Sequence, residues 1–311
     1  MKNKNILITG GLGFIGSHIT EELLDTNNII IIDNLSTGNL NNLTNPHHDN
    51  LKILKQDIRE TNFDEITKEI DYVFHLAAMA SVPLSIYKPI ECNEINLNAT
   101  LKLLNSSAKN DVKKIIFSSS SAVYGENNNL PLSENETLNP LSPYASSKAS
   151  CEMYLQSFYE SYGLKYTALR YFNVFGPKQD KNSQYAAVIP NFISAVLNDE
   201  QPKIYGDGEQ TRDFIFVKDI VKANLNAAKS NFNGTVNVAS GKKLSINRLV
   251  EIINKTLKKD MKPCYLPERQ GDIKHSLADI TKMEDNDILT IDYNKFNEQL
   301  KETINWFENK L

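Results

Sequence analysis

Tyr144 and Lys148 lie four positions apart in the segment YASSK, and their side chains have the chemistry for proton transfer. On a helix, side chains at this spacing lie on the same face. A free tyrosine has a pKa of about 10 and is a poor base at neutral pH. A cation held beside the phenol stabilises the phenolate and lowers its pKa. The pair therefore predicts a general base, although a tyrosine and a lysine at this spacing are also common by chance.

A cluster of serines supplies a second group for proton transfer. Residues 118–121 are all serine and directly follow the short apolar run 115–117. If that run is a buried strand, the hydroxyls lie at its carboxyl end, where a doubly wound fold places its ligand. A serine there can donate or relay a proton to a substrate oxygen. A serine-rich turn without function is the competing interpretation, and the nearby Tyr144 and Lys148 favour the functional one.

A glycine-rich turn near the N-terminus predicts a nucleotide-binding loop. Gly10, Gly13 and Gly16 follow the short run 6–9, with GxxGxxG spacing in place of the commoner GxGxxG. Gly10 permits a tight turn, Gly13 lets a pyrophosphate approach the backbone, and Gly16 lets the next helix pack on the sheet. The phosphates then meet the free amides of the helix N-terminus.

Asp33 ends the second apolar run and predicts which dinucleotide binds. A carboxylate at this point accepts hydrogen bonds from both adenosine ribose hydroxyls and repels a 2′-phosphate, so NAD is favoured over NADP. Asp57 and Ile58 follow the third run and are predicted to hold the edge of the adenine. Residues 76–78 are Leu-Ala-Ala and leave room for a flat ring, whereas the preceding His75 is interpreted as structural.

Short apolar runs alternate with longer amphipathic stretches in the first half of the chain. Strands are predicted at Asn5–Thr9, Ile29–Asp33, Leu51–Lys55, Tyr72–Leu76, Lys114–Ser118 and Lys165–Arg170. Helices are predicted at Phe14–Asn27, Phe63–Glu69, Glu91–Asn110 and Pro143–Tyr162. Strands that are apolar throughout and separated by helices indicate an α/β fold, with a doubly wound parallel Rossmann sheet buried on both faces.

The pattern changes after Tyr171, where the chain becomes rich in Gly, Pro, Asn and Asp. Helices are predicted near Ile189–Leu197, Ser245–Lys258 and Asn294–Glu308, and a strand near Thr235–Ala239 is predicted to return to the main sheet. We therefore expect two domains. The NAD-binding Rossmann domain comprises residues 1–172 with a return segment at about 214–240, and a smaller C-terminal substrate-binding cap comprises residues 173–213 and 241–311.

Composition argues against several classes of protein. The chain has 311 residues and a net charge of −4, so the surface as a whole gives no reason to expect nucleic acid. Cys92, Cys151 and Cys264 form neither a disulfide framework nor a metal motif, and buried thiols in a reducing cytosol are predicted. No signal peptide is expected before the first apolar run, and no run is long enough to span a membrane, so a cytoplasmic location is expected.

Taken together, these motifs resemble the extended short-chain dehydrogenase/reductase family over nearly the whole chain. The matching segments, in family order, are TGGLGFIGSH, DNLSTG, HLAA, SSSSAVYG, PYASSK, LRYFNVFGP, GDGEQTRDFIFV and NVASG. Within the family the chain looks most like the UDP-hexose 4-epimerases, and LRYFNVFGPKQD, YAAVIP and GDIKHSLADITK are closest to the branch that acts on N-acetylated UDP-hexosamines. The resemblance implies bound NAD, a UDP-sugar substrate, and a homodimer formed through Glu91–Asn110 and Pro143–Tyr162.

The resemblance also implies a role for each residue of the site. Tyr144 would remove the proton of the sugar 4-hydroxyl, Ser120 would complete the relay, and Lys148 would bind the nicotinamide ribose. A hydride would pass from sugar C4 to NAD and return to the other face of the 4-keto sugar. The implied NAD contacts are Gly10, Gly13, Phe14, Ile15, Gly16, Asp33, Asn34, Ser36, Thr37, Gly38, Asp57, Ile58, Leu76, Ala77, Ala78, Lys88, Asn96, Tyr144, Lys148 and Tyr171. The implied substrate contacts are Ser120, Asn173, Val188, Ile189, Tyr205, Arg212, Arg269, Asp272 and Ser276.

The choice of sugar depends on Ser276, which stands four residues after Asp272, where some family members carry a bulky tyrosine. A serine leaves room for an acetamido group at sugar C2. Activity on UDP-GlcNAc and UDP-GalNAc is therefore predicted, with UDP-glucose and UDP-galactose also accepted because a large pocket need not exclude a smaller sugar.

Other activities of the family remain as alternatives. Ser121 and Ala122 bring no carboxylate after the catalytic serine, which disfavours a 4,6-dehydratase. A UDP-glucuronate 4-epimerase, or a net oxidoreductase or lyase acting on a nucleotide sugar, is the alternative prediction. The catalytic set Ser120, Tyr144 and Lys148 is intact and argues against a non-catalytic NAD-binding regulator. Residues 282–294, KMEDNDILTIDYN, depart from the family pattern and leave the end of the cap without a template.

Overall fold

A parallel seven-stranded sheet forms the centre of the protein in a computed structural model that describes residues 1–180, 188–268 and 273–310. The strands in these residues are β1 (Asn5–Thr9), β2 (Asn28–Asp33), β3 (Leu51–Lys55), β4 (Tyr72–His75), β5 (Lys114–Ser120), β6 (Tyr166–Tyr171), β7 (Asn173–Phe175), β8 (Lys203–Tyr205), β9 (Thr211–Phe216), β10 (Gly234–Val238), β11 (Lys243–Ser245) and β12 (Cys264–Leu266). The main sheet has the order β10-β6-β5-β4-β1-β2-β3, and each neighbouring pair is parallel. The predicted doubly wound Rossmann sheet is confirmed.

Helices cover both faces of this sheet. The α-helices in the described residues are α1 (Phe14–Leu24), α2 (Phe63–Ile66), α3 (Val82–Tyr87), α4 (Pro89–Asn93), α5 (Ala99–Lys109), α6 (Pro143–Tyr162), α7 (Val188–Leu197), α8 (Val217–Lys229), α9 (Ile246–Leu257), α10 (Thr281–Asp285) and α11 (Phe296–Glu308). In β1, Ile6 and Ile8 belong to one apolar cluster, while Leu7 belongs to another. Because successive residues of a strand point to opposite faces, the sheet has a core on each side.

A smaller unit, the cap, follows the main sheet in the chain. It contains the three-stranded sheet β11-β9-β7 and the two-stranded sheet β12-β8. Helices α7, α9 and α11 contribute Phe192, Leu249 and Ile304 to a separate buried apolar cluster. Strand β9 stays in the cap sheet as far as Phe216, and α8 then begins directly at Val217. The predicted domain boundaries at 172/173 and near 214 and 240 remain a prediction.

The predicted helix Glu91–Asn110 is divided in the structure. It consists of α4, a π-helical turn at Glu94–Asn98, and α5. The short helix α3 precedes it, and proline stands in the first turn of both α3 and α4, where the missing N–H is tolerated. Helix α8 has no counterpart among the predicted helices, because no turn residue separates it from β9.

No helix among residues 1–180, 188–268 and 273–310 combines the length and the apolar character needed to cross a membrane. Cys92 and Cys151 are buried, but Cys264 on β12 is half-exposed. The prediction of buried thiols is therefore wrong for Cys264, because β12 belongs to a two-stranded sheet outside the main core.

A buried lysine joins α8 to the main sheet. The Nζ atom of Lys114, at the start of β5, donates hydrogen bonds to the carbonyl oxygens of Ala227 at 2.6 Å, Ser230 at 3.1 Å and Phe232 at 2.6 Å. These carbonyls lie at and beyond the C-terminal end of α8, where intrahelical partners run out. A cation there also interacts favourably with the helix dipole.

Lys114→Met should lower the free energy of unfolding by about 2–3 kcal/mol, because buried carbonyl groups lose their donors. Lys113→Met is the matched control. Lys113 is exposed and pairs with Asp71 on the surface, so its replacement should change stability little. Urea unfolding of the two variants measures the difference, and equal stabilities would contradict the role assigned to Lys114.

Candidate active site

The crevice at the centre of the sheet lies between β1 and β4, where the strand order reverses. Gly10 follows β1 with φ +69°, and a Cβ atom at this position would lie 2.8 Å from the backbone nitrogen of Ala77, just after β4. Only glycine lets the two chain segments approach this closely. The loop after β1 therefore closes against Leu76 and Ala77, at the carboxyl ends of the strands, where such folds bind their ligands.

The remaining glycines shape the start of α1. A Cβ atom on Gly16 would lie 2.1 Å from the carbonyl oxygen of Gly10, so the first turn of the helix packs on the loop. Gly13 is the N-cap residue and has no side chain to cap the helix, which begins with Phe14 and Ile15. The N-terminal amides of α1 are thus available for phosphate oxygens, as the glycine pattern predicts.

Asp33 has a structural role in addition to the predicted one. Its buried carboxylate accepts hydrogen bonds from the backbone N–H groups of Leu12 at 3.0 Å and Leu35 at 2.9 Å. It also lies against Gly38, where a Cβ atom would come within 2.7 Å of Oδ1. A carboxylate offers about four acceptor positions, so acceptors remain for ribose hydroxyls. Asp33 therefore joins the glycine loop to the loop that starts at Asn34.

An ion pair holds the segment that is predicted to contact the adenine. Arg59 donates to both carboxylate oxygens of Asp57, at 2.9 and 2.8 Å, and this lowers the pKa of Asp57 to about 2. Asn34 donates to the same carboxylate at 3.0 Å, whereas Ser36 and Thr37 are exposed beside it. Ile58 is buried in the core, so its side chain faces away from the crevice and a contact with adenine is left to its backbone.

His75 is structural, as predicted. Its ring is buried between the hydroxyls of Thr9, at 2.6 Å from Nδ1, and Thr100, at 2.8 Å from Nε2. Burial lowers its pKa to about 3, so the imidazole stays neutral and takes no part in proton transfer near neutral pH.

The structure brings Tyr144, Ser120 and Lys148 together at the carboxyl end of β5. Helix α6 begins at Pro143, with the Ser142 side chain capping it by accepting from the N–H of Ala145 at 3.1 Å. This cap places Tyr144 in the first turn, and its phenol interacts with the side chain of Ser120, the last residue of β5. The predicted base and its predicted relay are therefore neighbours.

Lys148 lies beneath this pair and is only 3% exposed. Its Nζ donates to the carbonyl oxygen of Ser118 at 2.6 Å and lies 4.7 Å from the centre of the Phe117 ring. Burial lowers the pKa of Lys148 to about 8, and the thiols of Cys151 and Cys92 and the carboxylate of Glu152 oppose that fall. The ammonium is therefore held in place but only moderately stabilised in its charged form.

The pKa of Tyr144 differs from the sequence-based expectation. Burial raises the pKa of the phenol above its usual value, and the hydrogen bond with Ser120 offsets only part of the rise, to which Cys92 adds. Lys148 Nζ is 6.0 Å from the centre of the Tyr144 ring. In the protein by itself desolvation therefore outweighs a cation at that distance, and the lowering of this pKa by Lys148 remains a prediction.

Asn96, a predicted NAD contact, lies in the π-helical turn and binds the protein itself. Its Oδ1 accepts from the N–H of Met79 at 2.7 Å, and its Nδ2 donates to the carbonyl of Met79 at 3.2 Å and to the hydroxyl of Ser147 at 2.9 Å. Asn96 thus joins the loop after β4 to α6. The turn, which inserts one extra residue into the helix, directs this side chain inward.

Two other predicted NAD contacts point elsewhere in this structure. Lys88 is exposed and pairs with Glu91 at 2.9 Å. The hydroxyl of Tyr171 is buried against Asn224, with which it exchanges hydrogen bonds at 2.8–2.9 Å. Tyr171 can therefore meet a cofactor only through its backbone or ring, and both NAD contacts remain predictions.

The predicted substrate side is formed by the cap. Asn173 is exposed at the start of β7, Tyr205 ends β8, and Val188 opens α7, whereas the side chain of Ile189 is buried in the cap core. Any contact from Ile189 would therefore use its backbone. Arg269 and Asp272 lie outside the described residues.

Arg212 and Ser276 lie on adjacent segments. Arg212 Nη1 donates to the carbonyls of Thr211 at 2.9 Å and Lys274 at 3.3 Å, and the N–H of Ser276 donates to the carbonyl of Thr211 at 3.1 Å. The same segment also pairs with Leu132, in the loop between Ser120 and Tyr144. Ser276 is thus held between the cap sheet and the loop that follows the catalytic serine.

Several residues that order the site have no counterpart among the predicted ones. The hydroxyl of Ser85 accepts from the N–H of Tyr144 at 3.1 Å, and Ser147 donates to the carbonyl of Tyr144 at 2.7 Å. Asp213, beside Arg212, accepts from Ser240, Gly241 and Ala278. Ser147 and Asp213 lie inside segments that match the family, but no role was assigned to them there, and Ser85 lies outside those segments.

No group of three His, Cys, Asp or Glu side chains suited to a metal ion occurs in the part of the chain that the structure describes. The residues present do suit a dinucleotide, because Gly10, Gly13 and Gly16 have no Cβ atoms and no side chain caps the N-terminus of α1.

Comparison with known proteins gives the family of the chain. Residues 6–239 match the model of the NAD dependent epimerase/dehydratase family. The chain belongs to this family. Its predicted family, its cofactor NAD and its enzyme class, an NAD-dependent isomerase, are thereby confirmed.

Three similar proteins narrow the comparison. The structure of the UDP-N-acetylglucosamine 4-epimerase from Methanobrevibacter ruminantium M1, in complex with UDP-N-acetylmuramic acid, is 59% identical with a TM-score of 0.99, and all of both chains is covered. That of the UDP-glucose 4-epimerase from Thermotoga maritima with UDP-glucose is 39% identical, with a TM-score of 0.91 over 98% of this chain and 99% of that one. A UDP-N-acetyl-alpha-D-glucosaminuronate decarboxylase from Bacillus cytotoxicus is 35% identical over 98% of each sequence.

Gly16→Ala should weaken NAD binding by about tenfold or more, because the new Cβ would displace the Gly10 carbonyl and with it the phosphate-binding turn. Isothermal titration of the folded variant with NAD measures the loss. Gly163→Asn is the control. Gly163 has φ +72° with open space around it, and asparagine tolerates this conformation at a helix C-terminus. Wild-type affinity in the Gly16 variant would contradict the assignment.

Proposed function

We propose that the protein is a UDP-sugar 4-epimerase that interconverts UDP-GlcNAc and UDP-GalNAc, and also accepts UDP-glucose and UDP-galactose. The observation that carries the proposal is the grouping of Tyr144, Ser120 and the buried Lys148 at the strand ends next to the glycine loop. The similarity to two 4-epimerases over nearly the whole chain supports the reaction type.

In this proposal Tyr144 and Ser120 each have a task in proton transfer. Tyr144 accepts the proton of the sugar 4-hydroxyl as that carbon is oxidised, and Ser120 relays it. NAD, when bound, supplies reversible hydride acceptance at sugar C4. The keto sugar turns in the pocket, and Tyr144 returns the proton when C4 is reduced on the opposite face. No net oxidation results, so the cofactor is regenerated in each cycle.

The pKa of Tyr144 sets the condition under which this base works. In the protein without cofactor, burial keeps the pKa of the phenol above its usual value. A second positive charge, in addition to Lys148, is therefore needed to lower this pKa toward about 7. An oxidised nicotinamide ring carries such a charge. Activation of the base is thus tied to the oxidised form of the cofactor, which is the form that accepts the hydride.

Tyr144→Phe should retain NAD and lower kcat by about 100- to 10,000-fold, because the general base is lost while the binding loop is unchanged. Tyr162→Phe, an exposed tyrosine at the far end of the same helix, should leave turnover unchanged. Turnover is followed by NMR of the product from each UDP-sugar, without added NAD. Unchanged turnover in the Tyr144 variant would contradict its assignment as the base.

The acetamido preference is supported by Ser276. Its segment pairs with the strand that carries Arg212 and with Leu132 in the loop between Ser120 and Tyr144, and a serine there takes up little space. The similar Methanobrevibacter protein is named for a sugar with a 2-acetamido group and was solved with another. Both observations favour a pocket that is open at sugar C2.

Ser276→Tyr should lower kcat/KM for UDP-GlcNAc by on the order of 100-fold, because a phenol ring fills the space for the acetamido group. The value for UDP-glucose should fall much less, since that sugar lacks the group. Ser276→Ala is the control and should keep both activities. An equal loss on the two sugars would show that residue 276 does not set the size of the pocket.

A uronate epimerase or a decarboxylase is the alternative within the family, and one relative has a decarboxylase name. Ser121 and Ala122 form the short 3₁₀ turn after Ser120 and bring no carboxylate to it. This disfavours the decarboxylase but leaves the UDP-glucuronate 4-epimerase as an alternative, because that reaction also ends with C4 reduced. A cytoplasmic location remains a prediction.

We also propose a homodimer formed through α4 and α6. These helices pack together, and they expose Ile90 at 74% and Met153 at 62%, next to Tyr87 at 81%. Large apolar side chains that cluster on a surface favour burial against a partner, and a twofold dimer buries the same patch on each copy.

Met153→Asp and Ile90→Asp should each convert the dimer to a monomer, because a carboxylate would be buried without a partner at the interface. Light scattering after gel filtration measures the mass. Leu40→Asp, at an exposed leucine far from these helices in sequence, is the control and should remain dimeric. A monomeric wild-type protein would refute the proposed interface.

A further inference from the structure

A buried ion pair lies directly behind the catalytic residues. Arg170 on β6 is 5% exposed and Glu152 on α6 is 6% exposed, by side chain, with Nη2 2.7 Å from Oε2. Arg170 Nε also donates to the same carboxylate, at 3.0 and 3.2 Å. The two groups thus form a forked pair, the geometry in which arginine and carboxylate bind most specifically.

The pair has further partners on neighbouring elements. The hydroxyl of Ser119 on β5 donates to Glu152 Oε1. Arg170 Nη1 donates to the hydroxyl of Tyr124 at 2.8 Å, and Tyr124 in turn donates to Oδ1 of Asn237 on β10 at 2.6 Å. One polar network therefore connects α6 to three adjacent strands of the main sheet, beneath their carboxyl ends.

Three members of the network adjoin a predicted residue of the site. Ser119 precedes Ser120, Glu152 follows Lys148 by one helical turn, and Arg170 precedes Tyr171. We propose that Glu152 and Arg170 are positioning residues of the reaction, whose ion pair sets the height of α6 against β5 and thereby holds Tyr144 against Ser120. The inference rests on the proposed function, because it assigns Tyr144 and Ser120 to proton transfer.

A packing role alone would not require charge at this place. Replacing a buried ion pair by apolar residues of similar size is often neutral or stabilising, so stability by itself does not explain it. The forked pair instead fixes a direction and a distance, which apolar contacts leave adjustable. A shift of about 1 Å between α6 and β5 would separate the phenol from its relay, and such misplacement lowers turnover strongly.

Glu152 also contributes charge to the site. Lys148 faces Tyr144, Cys151 and Glu152 on its own helix, Cys92 of α4 and His75 of β4. His75 is neutral, so Glu152 is the carboxylate that opposes the desolvation of the ammonium. Removing its charge would take away one of the groups that favour the ammonium, and this change favours the neutral amine.

The mildest test compares two buried serines. Ser119→Ala removes the hydrogen bond from β5 to Glu152 and should lower kcat three- to tenfold with little change in KM. Ser107→Ala is the matched control, since Ser107 on α5 is buried and its hydroxyl has no partner among the described residues. Wild-type kcat in the Ser119 variant, or equal losses in the two variants, would overturn the proposal.

Glu152→Gln separates positioning from packing through the pH profile. The variant keeps the shape of the side chain and loses the charge, so kcat should fall about tenfold. The alkaline limb of kcat should move to lower pH by about 0.5 unit, because Lys148 loses its proton earlier. A loss of stability with an unmoved limb would overturn the electrostatic part, and kcat within twofold of wild type would overturn the positioning part.

The double variant Glu152→Met/Arg170→Met completes the test. Its melting temperature should return toward the wild-type value while kcat stays low, since the apolar pair packs but does not fix α6. Recovery of kcat together with stability would show that the pair is merely structural. Low stability and low kcat together would also contradict the proposal. The Ser119→Ala variant tests the positioning role separately, whatever the result for the double variant.

One readout does not depend on the sugar. The ultraviolet titration of Tyr144, taken as the difference between each variant and the same variant with Tyr144→Phe, reports the pKa of the phenol without substrate. Loss of the contact with Ser120 should raise that pKa in the Glu152 variant. If the wild-type protein turned over no UDP-sugar, the proposed function would fail, whereas an unchanged phenol titration would refute the positioning role alone.

Discussion

Burial of the Lys148 ammonium is the constraint on which the rest of the site depends. A cation that has lost its water must be surrounded by groups that favour its charge, or it becomes neutral. Here the carbonyl of Ser118, the face of the Phe117 ring and the carboxylate of Glu152 perform this task. Ser118 and Phe117 belong to β5 and meet the ammonium only when α6 lies at one height against that strand, so the ammonium and the helix position depend on each other.

Much of the framework could be predicted from the sequence. Apolar runs that are buried on both sides have a strong signature, and all seven strands of the main sheet begin and end within two residues of the predicted positions. The roles of Gly10 and Gly16 in the turn could also be predicted, because a short turn between a strand and a helix leaves no space for a side chain. Tyr144 and Lys148 lie on one helix, so their spacing of four residues was enough to predict that their side chains lie on the same face.

Contacts between segments that are distant in the chain could not be predicted from the sequence. Asn96 has the right position for a cofactor contact, but the π-helical turn that directs it to Met79 and Ser147 depends on tertiary packing. The pKa of Tyr144 likewise depends on burial, which spacing does not reveal. Helix α8 was missed because its start follows β9 without a polar loop, the usual sign of a boundary.

The direct passage from β9 to α8 has a consequence for recombination among relatives. Strand β9 carries Arg212 in the cap sheet, and α8 packs on α1, the helix that the glycine loop opens. Residues 216 and 217 are the junction, with no linker in which a splice would be tolerated. A chimera that exchanges caps between two such enzymes must therefore transfer α8 together with β9. The transferred α8 must then pack on the α1 of the recipient, so the cap cannot be exchanged independently of the dinucleotide-binding half.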